Sequence, residues 1–578
     1  GQSLDEVRDM LLSEVAKLRN GDFDESLIEA TINNYKMQMM RSFEENESRA
    51  MLYVYSFING ADWADEVQQL DRMSKITKQD VVDWANKYLG PESYAIVYKR
   101  EGKDPNEQKI AAPKITPIVT NRDSQSEFLT EIQNSKVEPI EPVFVDYKKD
   151  MSQFEAQKGV NVLYKKNETN DIFTLIYVFN TGTENDPALN LAFDYLSYLG
   201  TDKMSAEQIA SEMYAIACSF GLSAGTNQSW IEISGLSENM GKAMEIVEGL
   251  IAGAQPNEEI LQNLKGDMIK SRADAKLNQS RCFGALQRYM IYGSDFIRRT
   301  TLTDPALQGL TSEQLLAKIG DLMGKQHEVL YYGPQDEAEV KAALTAHHKV
   351  AADLQPLEKK FSTLQPTDEN KVMLAQYDAK QLYYMQYSNR GEKFDLAADP
   401  QITLYNEYFG GGMNTIVFQE MRESRSLAYM AFTEWINPSY LDDNYLFAAI
   451  IATQNDKMAQ AIDAFDEIIN NMPESEAAFK LAKEAVLTNL RTSRTIKDEV
   501  LWKYIANKDL GVTEDRNKAI FEKVQDMTFA DLKAAQEQWI KDRKYTYCIL
   551  GDLKDLDQDY LRKLGPVQIV SQKEMFGY

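Results

Sequence analysis

The chain has 578 residues, of which 43% are apolar (AVILMFWYC) and 26% are charged, so it holds enough apolar material for several hydrophobic cores. No stretch reaches the roughly 20 consecutive apolar residues that a membrane-spanning helix needs. The 89 acidic residues outnumber the 63 basic ones and give a net charge of -26, and this field repels phosphates, which excludes nucleic acid as a partner.

Residues 1–100 predict helices followed by a single strand. Apolar residues recur every three or four positions over 4–19 and 25–45, and 93–99 is a short β-rich run. One strand cannot form a sheet alone, so we expect residues 1–100 to be the C-terminal part of a truncated domain whose front half lies upstream. Five prolines among the polar residues of 101–142 then predict an extended interdomain linker.

Residues 143–350 and 351–578 predict two domains with the same order of elements. In the first, a hairpin over 161–165 and 172–180 precedes helices and a further strand, and in the second a strand over 372–387 begins the series. The remaining predicted elements are helices over 189–199, 206–220, 238–254, 258–278, 399–409 and 414–423 and strands over 222–235, 426–435 and 445–452. Strands in runs, with helices able to cover one face, indicate α+β domains, each a mainly antiparallel sheet covered by helices.

A helix followed by a strand occurs three times at long and nearly constant spacing. The helices begin after Thr77, Thr311 and Thr528, which lie 234 and 217 residues apart, and each threonine has Asp or Gln three residues later, as a capping box requires. Three such units indicate a duplicated domain of about 220 residues, and residues 1–100 hold an incomplete copy.

Reactive side chains are sparse, and none forms a recognisable catalytic motif. The cysteines, Cys218, Cys282 and Cys548, are far apart in the sequence, so we expect buried thiols rather than a disulfide framework or a metal site. Ser223 lies in a Gly-x-Ser-x-Gly pattern, but a helix precedes it and a strand follows. This context is the reverse of a nucleophile elbow, so we interpret Ser223 as a turn serine.

The three histidines are His327, His347 and His348. A metal site needs several converging ligands, and adjacent side chains on a helix diverge by about 100°, so His347 and His348 make a poor chelate. His327 stands at the start of a predicted strand. We therefore expect surface histidines and no metal bound by this chain.

Residues 408–432 carry the densest local signal. Their turn consists of three consecutive glycines, Gly410, Gly411 and Gly412, which permit backbone conformations closed to other residues. Arg422 and Tyr429 are seven positions apart, close to two helical turns, so a continuing helix would point both side chains the same way. Two interpretations stay open: a functional pair, or an arginine paired with Glu420 or Glu423 and a tyrosine packed in the core.

The run Phe-x-Glu-x-Arg-Glu at 418–423, followed by Leu-Ala-Tyr at 427–429, resembles the signature of the insulinase/pitrilysin family of zinc metallopeptidases. The segment 75–89 is similarly typical of the end of one of that family's domains, and the resemblance extends over nearly the whole chain. It implies four homologous α+β domains in two halves, joined by a linker around a chamber. This chain then corresponds to the tail of the second domain plus the third and fourth domains.

The resemblance also implies roles for individual residues. The family's zinc site, a His-x-x-Glu-His helix with a distal Glu, belongs to the first domain, so zinc is expected in the missing N-terminal part. In the third domain Leu191, Asp194 and Tyr195 stand where His, Glu and His would be, and Leu and Tyr cannot replace imidazoles. In the fourth domain Arg422 and Tyr429 match a pair that binds substrate across the chamber.

The resemblance thus implies the C-terminal, non-catalytic half of a zinc metalloendopeptidase, inactive alone, which closes the peptide chamber and contributes substrate-binding residues. Its expected partners are peptide substrates and the N-terminal half of the same protein. The alternative is a catalytically inactive family member that acts as a peptide-binding or scaffold subunit, and an intact upstream His-x-x-Glu-His would distinguish the two. The expected location is the bacterial periplasm or cell envelope.

Overall fold

The computed structural model describes residues 3–91, 93–100, 102, 126–357 and 363–578. The chain forms two compact units, one made of residues 1–36 and 50–141 and the other of residues 37–49 and 142–578. Among the described residues, every helix is too short or too polar to cross a membrane.

Helices form the regular structure before the first sheet. They are α1 (Leu4–Asn20), α2 (Ser26–Glu44), α3 (Asn46–Asn59), α4 (Trp63–Val67), α5 (Gln69–Met73), α6 (Lys78–Tyr88) and α7 (Glu127–Asn134). The strand predicted over 93–99 is wrong, because residues 93–100 pair with no strand in the described parts of the chain. Helix α7 interrupts the predicted linker 101–142, of which residues 103–125 lie outside the described residues.

Two six-stranded sheets form the framework of the second unit. The first contains β1 (Ser152–Gln157), β2 (Val160–Lys166), β3 (Ile172–Phe179), β4 (Cys218–Ala224), β5 (Ser229–Leu236) and β6 (His327–Gly333), in the order β1-β2-β6-β3-β5-β4. The second contains β7 (Lys371–Gln376), β8 (Gln381–Ser388), β9 (Met430–Ile436), β10 (Leu446–Gln454), β11 (Thr546–Gly551) and β12 (Val567–Ile569), in the order β12-β7-β11-β8-β10-β9. Most neighbouring strands are antiparallel, and β6 on β2 and β11 and β12 on β7 are parallel. The predicted α+β class is confirmed.

Helices cover these sheets. They are α8 (Leu189–Leu196), α9 (Ala206–Ala215), α10 (Met240–Gly253), α11 (Glu258–Lys276), α12 (Gln279–Thr300), α13 (Asp304–Gly309), α14 (Ser312–Met323), α15 (Glu337–His347), α16 (Asp399–Phe409), α17 (Met458–Asn470), α18 (Glu476–Thr492), α19 (Glu499–Asp509), α20 (Arg516–Asp526), α21 (Phe529–Ala535), α22 (Gln558–Leu564) and α23 (Gln572–Phe576). Ser223 lies in strand β4, so the interpretation of a turn serine is wrong.

The hairpin predicted over 161–165 and 172–180 is also wrong. Strands β2 and β3 do not pair with each other, because β6 lies between them and pairs with both. In the second sheet β11 lies between β7 and β8 in the same way, so the strand predicted over 372–387 is two strands. Both inserted strands are almost wholly buried, as the centre of a sheet covered on both faces requires.

The threonine that precedes each repeated helix forms the predicted capping box. The Thr311 amide donates to Gln314 Oε1 at 3.0 Å and the Thr528 amide donates to Asp531 Oδ2 at 2.7 Å, and Thr77 does the same with an aspartate. Helices α14 and α21, which begin after Thr311 and Thr528, each lead to the third strand of their sheet. The two sheets are therefore built to one plan.

Each sheet has one face on its own core and the other against a helix from the other half of the unit. Leu163 and Leu330 of the first sheet pack against Leu501 of α19, and Leu286 of α12 packs in the cluster around Cys548 of the second sheet. This exchange of helices joins the two halves through apolar contacts. All three cysteines are buried free thiols, as predicted.

Candidate functional site

The glycine turn after α16 passes too close to its neighbours to carry side chains. A Cβ added at Gly410 would lie 2.3 Å from the carbonyl oxygen of Asn406, and one added at Gly411 would lie 2.7 Å from Phe432 Cβ. A Cβ at Gly412 would meet its nearest neighbour at an ordinary 3.6 Å. The tight turn predicted from the three glycines therefore depends sterically on the first two.

The helix predicted over 414–423 is not a regular α-helix. It is π-helical from Phe418 to Ser424, and the chain reverses at Ser426, whose φ of 49° is left-handed. Tyr429 lies beyond this reversal, immediately before β9. A continuing helix that aligns Arg422 with Tyr429 is therefore wrong, and the reversal brings the two together instead.

Arg422 and Tyr429 are in contact. The guanidinium carbon of Arg422 lies 4.5 Å from the centre of the Tyr429 ring and 4.8 Å from that of Phe418, within the range of cation–π interactions. Tyr429 is 79% exposed, so a tyrosine packed in the core is excluded. Arg422 Nε does lie 3.4 Å from Glu423 Oε1, but both side chains are partly exposed, so this ion pair is weak.

The pair stands beside an open groove of about 720 Å³. Its walls are α16, the glycine turn and β9, which is the edge strand of the second sheet. The rings of Phe418 and Tyr429 face this groove, and they are the rings on which the Arg422 guanidinium lies. Tyr429 thus presents its ring and phenol hydroxyl to whatever enters the groove, and the Arg422 guanidinium lies beside it on the two aromatic rings.

The positions aligned with a zinc motif do not form a metal site. Leu191 and Tyr195 are buried in the core against the first sheet, and the Tyr195 hydroxyl donates to Ser312 Oγ at 2.8 Å. Asp194 of α8 is exposed, although the nearby protein desolvates its carboxyl and raises its pKa. No group of three His, Cys, Asp or Glu residues suited to a metal ion occurs in the described parts of the chain.

The prediction of surface histidines is wrong for His327 and His348, which are buried and hydrogen-bonded to each other. Their Nε2 atoms lie 2.8 Å apart, and His348 Nδ1 lies 2.6 Å from Glu248 Oε1. Helix α15 ends at His347, and the extended backbone of the next residue turns the His348 ring inward. Burial lowers the pKa of His327 to about 4. The sequence contains one signal for these buried histidines. Glu248 lies within the apolar run of α10, and a buried carboxylate needs a polar partner.

Comparison with known proteins gives a consistent result. Residues 322–486 match the Peptidase M16 inactive domain. An uncharacterized zinc protease of Rickettsia bellii (strain RML369-C) is 23% identical over 345 residues, which cover 57% of this chain and 77% of that protein. An uncharacterized zinc protease of Streptomyces coelicolor is 22% identical over 269 residues, which cover 43% of this chain and 56% of that protein.

Solved structures share the fold. A peptidase M16 inactive domain from Pseudomonas fluorescens superimposes with a TM-score of 0.57 at 17% identity and covers 70% of this chain and 98% of its own. The periplasmic protease PqqL from Escherichia coli superimposes with a TM-score of 0.56 at 14% identity and covers 95% of this chain. This chain spans 63% of the length of PqqL.

Proposed function

We propose that this chain is the C-terminal, non-catalytic half of a zinc metalloendopeptidase that degrades peptides, because residues 322–486 match the Peptidase M16 inactive domain and its curated relatives are zinc proteases. It closes the peptide chamber and supplies substrate-binding residues from its last domain. The observation that carries this proposal is the exposed contact between Arg422 and Tyr429 beside a groove. An aromatic ring with this much exposed surface contributes little to folding and is available to a ligand.

The chemistry of the pair suits a peptide bond. The Arg422 guanidinium has fixed donors that can hold a peptide carbonyl oxygen, and stacking on Phe418 and Tyr429 restricts its orientation. The Tyr429 hydroxyl can donate to an oxyanion that develops during hydrolysis. Arg422 thus binds the substrate in its ground state, whereas Tyr429 acts mainly on the transition state.

We place the zinc ligands in the N-terminal half of the protein. Zinc belongs to the family, but the side chains of Leu191 and Tyr195 are core residues of this chain and cannot bind it. A catalytic zinc of such a peptidase would supply the activated water for hydrolysis. This chain alone is therefore proposed to be inactive.

The first unit supports the proposal of an N-terminal partner half. Phe57 is 86% exposed and Val97 is 92% exposed, and an apolar groove of about 320 Å³ lies between Phe23 and Ile76. Apolar surface of this kind marks a place where another element packs. We assign residues 1–100 to part of a domain that the N-terminal half completes.

The other proposed boundaries follow the two sheets. We assign residues 101–142 to the interdomain linker and residues 143–350 and 351–578 to the third and fourth domains. The solved relative PqqL is a periplasmic protease, and we propose the bacterial periplasm or cell envelope for this chain as well. Fractionation of the native host, with this chain recovered in the cytoplasmic fraction, would contradict that location.

The test is a reconstituted enzyme made from this chain and its N-terminal half. Tyr429→Phe should lower kcat by about 10- to 1000-fold with little change in KM, on the scale of a lost oxyanion donor. Arg422→Ala should also raise KM, because a ground-state contact with the peptide is lost. Tyr198→Phe and Arg298→Ala, which change exposed residues of the same types in the first half of the unit, serve as matched controls.

Two results would contradict the proposal. One is wild-type turnover by both site variants with a lowered melting temperature, which would make the pair structural. The other is an N-terminal half without a zinc motif and a complex that binds peptides but does not cleave them, which would favour a peptide-binding or scaffold subunit.

A further inference from the structure

Strand β4 is one edge of the first sheet. An unbroken antiparallel register joins it to β5, and it pairs with no other described strand. Just before β4, the Ala217 carbonyl oxygen accepts from the Leu236 amide at 3.2 Å. Just after β4, the Gly225 amide donates to the Gln228 carbonyl oxygen at 2.8 Å. Antiparallel strands bond through alternate residues, so the even-numbered residues of β4 point their N–H and C=O groups away from β5. These residues are Cys218, Phe220, Leu222 and Ala224.

The outward backbone groups of β4 are open. In the described parts of the chain no hydrogen bond reaches the N–H or C=O groups of Phe220, Leu222 or Ala224 on that side. Ser219 and Gly221 are exposed, and a Cβ added at Gly221 would meet nothing within 4 Å. Because buried backbone groups are nearly always paired, these groups are accessible to water or to a ligand.

Of the four edges of the two described sheets, β4 is the one without a feature that hinders strand addition. A register shift between Glu155 and Gln157 interrupts β1, and β12 has three residues. In β9 the side-chain amide of Asn406 donates to the Trp435 carbonyl oxygen and accepts from the Trp435 amide, both at 2.9 Å. The seven residues of β4 include no charge and no proline, and their register is unbroken. Unprotected edges pair readily with another strand, so this open edge indicates that a partner strand binds there.

From these observations we infer that β4 binds an extended segment of the peptide substrate by strand addition, as a contact separate from the Arg422–Tyr429 pair. Backbone hydrogen bonds to the edge supply the affinity in this mode of recognition. A second copy of this chain does not suit the edge, because each copy carries a net charge of -26 and the two copies repel each other. The inference rests on the proposed function and names how a substrate segment is held.

The two faces of β4 define the class of segment. The half-buried apolar side chains of β4 pack against the core of the first sheet, whereas Ser219 and Gly221 are on the other face. Neighbouring strands place opposed side chains on the same face. The bound segment therefore alternates apolar residues, beside Phe220 and Leu222, with polar ones.

The test measures binding of a fluorescein-labelled peptide to this chain by fluorescence anisotropy. The peptide alternates four valines with four serines and has a lysine at each end for solubility. Two further peptides carry N-methyl groups, one on all four valines and the other on all four serines. Each modification removes the N–H donors from one side of an extended strand, because alternate residues point their N–H groups to opposite sides.

One modified peptide should lose affinity and the other should keep it. In an antiparallel arrangement the valines lie opposite Phe220 and Leu222 and exchange hydrogen bonds with them. The N-methylvaline peptide should then bind about 10- to 100-fold more weakly, and the N-methylserine peptide should bind within about threefold of the parent. Loss with N-methylserine alone would show a parallel strand and also support strand addition. Equal affinities of the two modified peptides, or no binding of the parent peptide, overturn the inference.

Variants of the chain test the same edge. Leu222→Pro removes an outward N–H and leaves the bonds to β5 in place, so it should weaken binding of the parent peptide at least about tenfold. Ala224→Pro makes the same change at a small side chain and replaces Leu222→Pro if the latter lowers the melting temperature. Ile569→Pro is the matched control on β12, because the Val570 amide bonds to β7 and the Ile569 amide points away from it. Wild-type affinity in both β4 variants overturns the inference, as does a dimer of this chain that Leu222→Pro dissociates.

Failure of the proposed function gives a different result. The role of the Arg422–Tyr429 pair is judged from turnover by the reconstituted enzyme, whereas strand addition is judged from binding to this chain. If Leu222→Pro keeps the peptide affinity while Tyr429→Phe lowers kcat, only strand addition is refuted. If Leu222→Pro loses affinity while Tyr429→Phe and Arg422→Ala keep wild-type turnover, the role of the pair is refuted and strand addition stands.

Discussion

The buried hydrogen bonds that join Glu248, His348 and His327 should make the stability of the first sheet depend on pH. His327 Nδ1 lies 2.8 Å from the Lys325 carbonyl oxygen, which can only accept, so the neutral ring accepts at Nε2 from His348. A second proton on His327 would place two N–H groups against each other without water. Burial accordingly lowers the pKa of His327 from 6.5 to about 4.

The sign and size of the effect follow from this pKa. The unfolded chain takes up the proton near pH 6.5 and the folded chain near pH 4, so the stabilisation is complete above pH 6.5 and is lost as the pH falls. Between pH 7.5 and 4.5 the loss is about 2.5 kcal/mol, at about 1.4 kcal/mol per pH unit. Burial raises the pKa of Asp466 to about 6, which acts in the opposite direction. The informative quantity is therefore the difference in stability between wild type and His327→Gln.

Hydrogen–deuterium exchange of the β6 amides, measured at increasing urea concentrations, reports this difference in stability for the first sheet. His327→Gln should be less stable than wild type at pH 7.5, and the gap should shrink by about 2.5 kcal/mol at pH 4.5. His347→Gln is the control, because the His347 ring takes part in neither hydrogen bond. A gap between wild type and His327→Gln that varies by less than about 0.5 kcal/mol over this range would refute the reasoning.

Three further outcomes are expected. Gly411→Ala should destabilise the part of the chain that carries the second sheet by about 1–3 kcal/mol, because the new Cβ meets Phe432, whereas Gly412→Ala should change little; equal melting temperatures would contradict the packing of the turn. Arg543→Met should cost up to about 3 kcal/mol in urea unfolding, because it leaves the mostly buried Glu392 carboxylate with only Arg390, 3.3 Å away and partly exposed, as its partner; a variant as stable as wild type would show that Arg390 and water suffice for Glu392. Elemental analysis of this chain should find less than stoichiometric zinc, and one tightly held ion per chain would contradict the placement of the ligands elsewhere.

Local patterns in the sequence predicted most of the helices well, although the helix predicted over 206–220 ends at Ala215, before strand β4, and the one predicted over 414–423 is partly π-helical. The helix predicted over 4–19 is α1 (Leu4–Asn20), and the helix predicted over 399–409 is α16 (Asp399–Phe409). Helix periodicity and caps are encoded within a few residues, so they can be found without knowing the rest of the fold. The pairing of β2 and β3 could not be found in this way, because the strand between them comes from the far end of the same domain.

The candidate site was predicted in part, and for an incorrect reason. The spacing of seven suggested that Arg422 and Tyr429 share one helix face, but a π-helix and the reversal at Ser426 bring them together. The pairing of His327 with His348 depends on contacts between distant elements. It could only be suspected from Glu248, a charge in an apolar helix.

The unusual backbone around the Arg422–Tyr429 pair is itself an argument for function. Within one short segment the chain uses a glycine turn that excludes side chains, a seven-residue π-helix and a left-handed serine at Ser426. Each is less favourable than a regular helix and a standard turn, and such conformations persist where the surrounding structure enforces them, most often at functional sites. A segment selected only for stability would be expected to bury the Tyr429 ring. Here the same backbone leaves that ring 79% exposed, stacked with a guanidinium and turned toward a groove, which is the arrangement a substrate contact needs.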